Sequence, residues 1–182
     1  ADDSDRQAVA RLKERQRQRR LAGEIERRQG LAVADQQNHR VLLWRDIPVA
    51  SNQAADVVLG QPDFHTTAPS TTPSARSLNQ PSGVHLSGDR LYVADTGNNR
   101  VLIWKLTDDD GVPLSSGAHA YRVLGQRDMV ASAGGSGPNQ LAGPAGVHLY
   151  GGVLFVADTQ NHRVLLFSAS PDADGQAAVR VI

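Results

Sequence analysis

Short runs of alternating and continuous apolar residues recur along the chain, always in the same order. In LYVAD, Leu91 to Asp95, apolar Leu91 and Val93 alternate with Tyr92 and Ala94. This period of two in a short stretch rich in β-formers predicts a half-buried strand. RVLIW, Arg100 to Trp104, is continuously apolar after its arginine, as suits a strand packed between two sheets. Between the two apolar runs sit only Asp95 to Asn99, and Asp, Gly and Asn supply the side-chain acceptors and positive φ angles of a tight turn. The unit is a strand, a turn and an antiparallel strand.

The same phrase is written three times. LAVADQQNHRVLLW begins at Leu31, LYVADTGNNRVLIW at Leu91 and LFVADTQNHRVLLF at Leu154, so that Asp35, Asp95 and Asp158 are 60 and 63 residues apart. Repetition at this spacing points to a solenoid or propeller. The flanks repeat as well. NQPSGVHLSG from Asn79 is echoed by LAGPAGVHLYG from Leu141, and DVVLGQPDF from Asp56 by RVLGQRDM from Arg122. GVHL follows a Pro-x-Gly turn signal and reads as a strand before the hairpin, while VVLG and RVLG read as a strand after it. Four antiparallel strands per repeat, each unit too small to bury its own faces, describe the blade of a β-propeller.

The repeated words closely resemble the NHL repeat, named for an Asn-His-Leu triplet. Asn38-His39 and Asn161-His162 keep its first two letters, Asn98-Asn99 only the first, and Arg40, Arg100 and Arg163 replace the leucine, a form similar to bacterial members. The resemblance runs from Leu31 to Ile182. It implies an all-β, NHL-type propeller with blades at about 31–60, 83–125 and 146–182, joined by long loops. Such propellers serve as binding scaffolds, as RNA-binding modules and, less often, as enzymes. Three blades leave two open edges, for which missing blades, a second copy completing a six-bladed ring or a different chain are the alternatives.

Residues 1–30 differ from the rest. Ser4 and Gln7 make a capping-box pattern, and AVARLKERQRQRRLAGEIERRQ continues without proline, which predicts an arginine-rich helix. Its apolar positions are too sparse for a wide core-facing stripe, so a solvated leader and a docking arm for an acidic protein or RNA both fit. A degenerate first strand over Gly23 to Gly30 is the remaining reading, but Glu24 and Glu26 stand where Val84 and Leu86 do.

Composition narrows the function classes. With 19 basic and 19 acidic residues the formal net charge is zero, so no global field steers the chain toward nucleic acid, and RNA binding rests on the N-terminal segment alone. Cysteine is absent, which excludes disulfides and thiolate chemistry. No apolar run approaches the roughly 20 residues that span a bilayer. Ala1 in place of methionine, followed by DDSD, suits a mature exported protein, periplasmic or extracellular.

Candidate chemistry lies in three sets of residues. Asp35, Asp95 and Asp158, with Arg40, Arg100 and Arg163, occupy identical places. Repetition in every blade argues for a scaffold role, the aspartate capping the turn and the arginine pairing with a carboxylate or carbonyl. Trp44, Trp104 and Phe167 share a strand-end position suited to filling the gap between blades. His85 and His148 stand at equivalent places in GVHL, the strand nearest a propeller's channel, and are the candidate binding residues; packing and metal ligation both suit them. Zinc-dependent NHL-like peptide-amidating lyases place histidines beside the preceding proline, where this chain has Ser82 and Ala145. No other catalytic constellation and no cofactor motif is present. We therefore expect a non-catalytic scaffold that engages a protein partner through the N-terminal helix and the loops His65 to Leu78 and Val130 to Gly143. A channel-metal lyase or hydrolase is the alternative.

Overall fold

The computed structural model describes residues 30–108 and 110–182. The expected N-terminal helix, the docking arm and the degenerate first strand lie outside these residues. Three antiparallel sheets make up the described part. The first holds β1 (Leu31–Asp35), β2 (Arg40–Trp44) and β3 (Val57–Leu59); the second holds β4 (Gly83–Ser87), β5 (Arg90–Asp95), β6 (Arg100–Lys105) and β7 (Arg122–Leu124); the third holds β8 (Pro144–Tyr150), β9 (Val153–Asp158), β10 (Arg163–Ser168) and β11 (Arg180–Val181). Each is a simple meander, with strands adjacent in chain order. The sheets pack face to face in succession, β4 touching both β1 and β8. This is an all-β, propeller-like fold, and the sheets are termed blades I, II and III. Blade I has three strands among the described residues where four were expected.

One hairpin geometry serves all three blades. Asp35 pairs with Arg40, Asp95 with Arg100 and Asp158 with Arg163, and the registers then run in parallel down each hairpin. Between them the chain makes a three-residue 3-10 turn and one left-handed residue, His39, Asn99 or His162, at φ 53, 53 and 54°. The amide of that residue closes the turn on the carbonyl of Gln36, Thr96 or Thr159. Asparagine and histidine are among the few non-glycine residues that accept this conformation readily. That steric tolerance accounts for the residue types at this point of the repeat.

Packing corrects one expectation. β5 was read as half-buried, yet Leu91, Tyr92, Val93 and Ala94 are all essentially inaccessible. The reason is position in the series. Blade II is covered on both sides, so Leu91 and Val93 enter one core with Val41 and Leu43 of blade I, while Tyr92 and Ala94 enter another with Leu154 and Val156 of blade III. β9, covered on one side, keeps the buried and partly exposed alternation that the period of two predicts.

Two glycines seat the blade junctions. Gly60 and Gly125, which end the fourth strands, adopt φ of 91 and 84°. A Cβ at Gly60 would lie 2.7 Å from Leu78 Cδ1, and one at Gly125 2.4 Å from Leu141 Cδ1. Leu78 and Leu141, both buried, thus plug the seam where one blade hands over to the next. At the other end of the blades, Arg122 donates to the carbonyls of Pro171 and Asp172, and Arg90 Nη1 to Ser170 Oγ, fastening a blade III loop to blade II.

Gly60→Ala and Gly125→Ala are expected to cost about 1–3 kcal/mol each from the backbone conformation alone, with the leucine overlap added. Gly88→Ala, at φ 59° with open space around the new methyl, carries only the backbone cost. Urea denaturation midpoints of the three variants check the order.

Candidate functional site

The repeated aspartate and arginine sit at the turn end of each blade. In blade II, Asp95 Oδ2 accepts from Arg100 Nε at 2.7 Å and Asn98 Nδ2 at 2.9 Å, and Oδ1 accepts from the Asn79 amide at 2.6 Å. Arg100 spends its remaining donors on carbonyls: Met129 at 2.5 Å through Nη1, and Ser74 and Ser77 at 3.0 and 2.9 Å through Nη2. Both side chains are inaccessible to solvent. Blade III repeats the arrangement with Asp158, Asn161 and Arg163, and the arginine reaches Ser136, Gly137 and Gln140. Blade I repeats the core of it, with Arg40 on Asp35 at 2.7 Å and on the Phe64 carbonyl.

The role differs from simple turn capping. The aspartate takes no amide from its own 3-10 turn and instead holds the arginine, the asparagine and, in blades II and III, an amide of the loop that leads into the blade. Arg100 then ties down that same loop and the one that leaves, whereas Arg163 holds the loop that leads in and Arg40 the loop that leaves. Burial pushes the Asp95 carboxyl upward, while Arg100, the Asn79 amide and Asn98 pull it down. A ring of free charges for a ligand is not what these residues form.

Two glutamines not singled out in the sequence complete the device. Gln61 and Gln126, both buried, follow the seam glycines. Gln61 Nε2 donates to the carbonyls of Asn38 and Ala68, and Gln126 Nε2 to those of Asn99 and Ala133. Each glutamine pins the hairpin turn of its blade to the following loop. The signal was present in the repeated Leu-Gly-Gln, but it reads as a strand end because nothing local to it needs a buried amide.

The left-handed residues join neighbours. His39 Nδ1 accepts from the Gln80 amide at 3.1 Å, and Asn99 Oδ1 from the Gly143 amide at 2.8 Å, so each turn grips the loop leading into the next blade. Trp104 and Phe167 lie buried in the two interblade cores, and Trp44 at the corresponding place is partly exposed. The Trp104 indole donates to the Ala118 carbonyl at 3.1 Å.

His85 and His148 come together, as their equivalent strands require. Their rings meet edge to face with centroids 4.9 Å apart, and the Tyr92 ring lies 6.5 Å from that of His85. Burial, then the neighbouring His148, lowers the His85 pKa. Among the described residues no group of three or more His, Asp or Glu side chains is placed to hold a metal. Ser82 and Ala145, the positions beside the prolines, meet through a hydrogen bond from Ser82 Oγ to the Ala145 carbonyl at 2.9 Å, and Thr96 Oγ1 donates to the Pro144 carbonyl at 2.7 Å. These contacts join blades II and III.

Two clefts open beside the loops, each floored by a Gly-Gln pair. The first, of about 570 Å³, is bounded by Gly60 and Gln61 and by Thr66, Ser70, Ser74, Arg76, Ser115 and Ser116. The second, of about 500 Å³, is bounded by Gly125 and Gln126 and by Arg127, Ser132, Asn139 and Gln140. The floor is repeated while the rim is not. In the described residues no helix is long and apolar enough to cross a membrane.

Arg100→Met leaves Asp95 buried without its counter-ion and is expected to cost about 3–5 kcal/mol. Arg40→Met, at a pair that is partly exposed, costs less, and thermal melts of the two variants measure the difference. A second expectation concerns pH. Because the fold favours neutral His85, the unfolded chain binds more protons below its ordinary pKa of about 6.5. Stability therefore rises with pH and is lost on acidification through the window beneath that value. Urea midpoints from pH 7.5 to 5.5 would show the decline, and His85→Gln should flatten it.

Comparison with known proteins agrees with this architecture. A family model for the NHL repeat matches residues 78–104, the span from the seam leucine through β4, β5 and the hairpin turn to Trp104. No curated protein matches the chain. Residues 78–104 hold Asp95, Asn98 and Arg100 together with the left-handed turn, and this stretch of the chain matches the NHL repeat.

Proposed function

We propose that the chain is a non-catalytic interaction scaffold, of the bacterial exported kind, whose blades hold two loop clefts in fixed positions for a protein partner. One observation carries the reading: the clefts share a repeated Gly-Gln floor but differ along their rims. One rim is set with hydroxyls and Arg76, the other with amides and Arg127. Residues that every blade repeats are consumed by the framework, since Asp95, Arg100 and Gln126 make their hydrogen bonds within the chain. What varies between blades is what faces outward, and loops on a rigid scaffold are where recognition is ordinarily built.

A channel-metal lyase or hydrolase draws support only from the His85 and His148 contact. Two imidazoles leave a catalytic zinc one protein ligand short of its usual three. RNA binding would depend on residues 1–30, which lie outside the described structure.

Arg76 and Arg127 are exposed at the cleft rims and serve the test. With the chain immobilised and a captured partner titrated by biolayer interferometry, Arg76→Glu or Arg127→Glu is expected to weaken binding about tenfold, equivalent to about 1.4 kcal/mol, at an unchanged melting temperature. Equal affinity for the wild type and both variants would remove the clefts as the binding surface.

A further inference from the structure

One end of blade II gathers positive charge. Arg90 of β5 and Lys105 of β6 are cross-strand partners, and Arg122 opens β7 on the next strand. They stand at the end of the sheet opposite the turn of Asp95 and Arg100. Tyr92 and Ile103, two residues inward from this pair, lie in the core shared with blade III, so the period of two puts Arg90 and Lys105 on the same face. Tyr121, packed against that core, is the common neighbour. Its ring centroid lies 5.9 Å from the guanidinium carbon of Arg90, 5.6 Å from Lys105 Nζ and 5.4 Å from the guanidinium carbon of Arg122.

Attraction between cation and ring draws each charge to Tyr121, but it does not satisfy the polar atoms around it. Arg90 Nε and Tyr121 Oη are both buried and make no hydrogen bond within the chain. Asp89 Oδ1, at 3.9 Å from Arg90 Nε, is beyond hydrogen-bond reach. Buried polar groups almost always have a partner, and one that has none calls for a specific explanation. The Nε–H can only donate and the hydroxyl can donate, so the two ask for an acceptor. The rest of the cluster is held in place by blade III. Arg90 Nη1 donates to Ser170 Oγ, and Arg122 donates to the carbonyls of Tyr121, Pro171 and Asp172.

We propose that this cluster is a binding site for a small oxyanion, phosphate or sulfate, which accepts from Arg90 Nε and Tyr121 Oη in the field of Lys105 and Arg122. Charge and donors favour the same ligand. An anion offsets the repulsion among three cations around one ring, and its oxygens make charge-assisted hydrogen bonds, which are the stronger kind. Tyr121 and Lys105 also border a cleft of about 290 Å³ with Ser115, Ala118 and His119, which gives the ring a route to solvent. Pockets for drug-sized molecules hold roughly 300–1,000 Å³, so a single tetrahedral group suits this one and a nucleotide does not. Asp108 lies on the same rim, with its Oδ1 accepting from the amides of Asp110 and Val112. Arg90, Lys105, Arg122 and Tyr121 border neither loop cleft, although the first cleft shares Ser115, so the site stands or falls independently of the scaffold reading.

Isothermal titration calorimetry of the wild-type chain with sodium phosphate, at fixed ionic strength in a phosphate-free buffer, is expected to show a single saturable site for which sulfate competes. Tyr121→Phe and Arg90→Lys each remove one unpartnered donor while keeping the ring or the charge, and each should weaken phosphate binding about tenfold. Lys105→Gln should weaken it through charge alone. Circular dichroism confirms that each variant is folded. Arg127→Glu, in the second loop cleft, should leave the affinity for phosphate unchanged. A wild-type chain that gives no saturable heat with millimolar phosphate overturns the proposal whatever the variants do. Equal affinity in the wild type, Tyr121→Phe and Arg90→Lys also overturns it, since that pattern leaves Tyr121 a purely structural role. Tighter binding of phosphoserine than of inorganic phosphate overturns the free ion as the occupant.

Discussion

The buried pair of Asp95 and Arg100 is the constraint on which the rest depends. A charge removed from water is tolerable only with its counter-ion and a full set of hydrogen bonds, and the hairpin alone cannot supply these. Arg100 has more donors than Asp95 can accept, and the surplus reaches the carbonyls of Ser74, Ser77 and Met129. The loop before the blade and the loop after it must therefore be in place for the pair to be satisfied. Local strand pairing is in this way made conditional on long-range contact. Asp158 and Arg163 couple blade III in the same way to the loop before it, through the carbonyls of Ser136, Gly137 and Gln140.

That dependence explains which features were legible in the sequence. Strand phrases and turns are local, and Asp95 to Arg100 reads as a hairpin because every part of it lies within a few residues. The identity of Arg100 as a framework residue was also readable, since the same residue recurs at Arg40 and Arg163. Harder to read were groups whose partners lie far along the chain. Gln61 and Gln126 look like the polar ends of strands until Asn38 and Asn99 are seen against them. The turn-capping role assigned to the aspartates failed for a related reason: the amides they accept belong to Asn79 and Ala142, in loops 16 residues earlier. β5 was misjudged as half-buried because period-two patterning records the average blade, and a blade with neighbours on both sides buries its second face too.

A repeat that consumes its own charged residues has consequences for function. Asp35, Asp95 and Asp158 with their arginines form no common anion or cation site, because each set is turned inward upon its own blade. His85 and His148 are different. They repeat, yet they are not saturated by the framework, and their rings meet at the innermost strands. Their closeness is a consequence of blade packing, as β4 lies against β8 and equivalent positions on adjacent inner strands must approach. Contact between two imidazoles follows from the fold whether or not any ligand uses it.

The remaining variation lies in exposure and not in kind. Trp44 and Trp104 share a register position, yet one is partly exposed and the other fully buried, and among the described residues another blade stands in front of Trp104 but not of Trp44. The same holds for Val33 beside Val93. Apolar faces that are closed at one seam and open at the end of the series are not ordinary solvent-facing surface, since a solvent-adapted outer blade would place polar residues there, as the terminal repeats of solenoids do. Blade III instead keeps Phe155 and Leu166, and blade I keeps Leu31 and Leu42. Among the described residues, blades I and III therefore keep, on the faces away from blade II, the residue types that blade II buries, and such a face gains stability when something apolar lies against it.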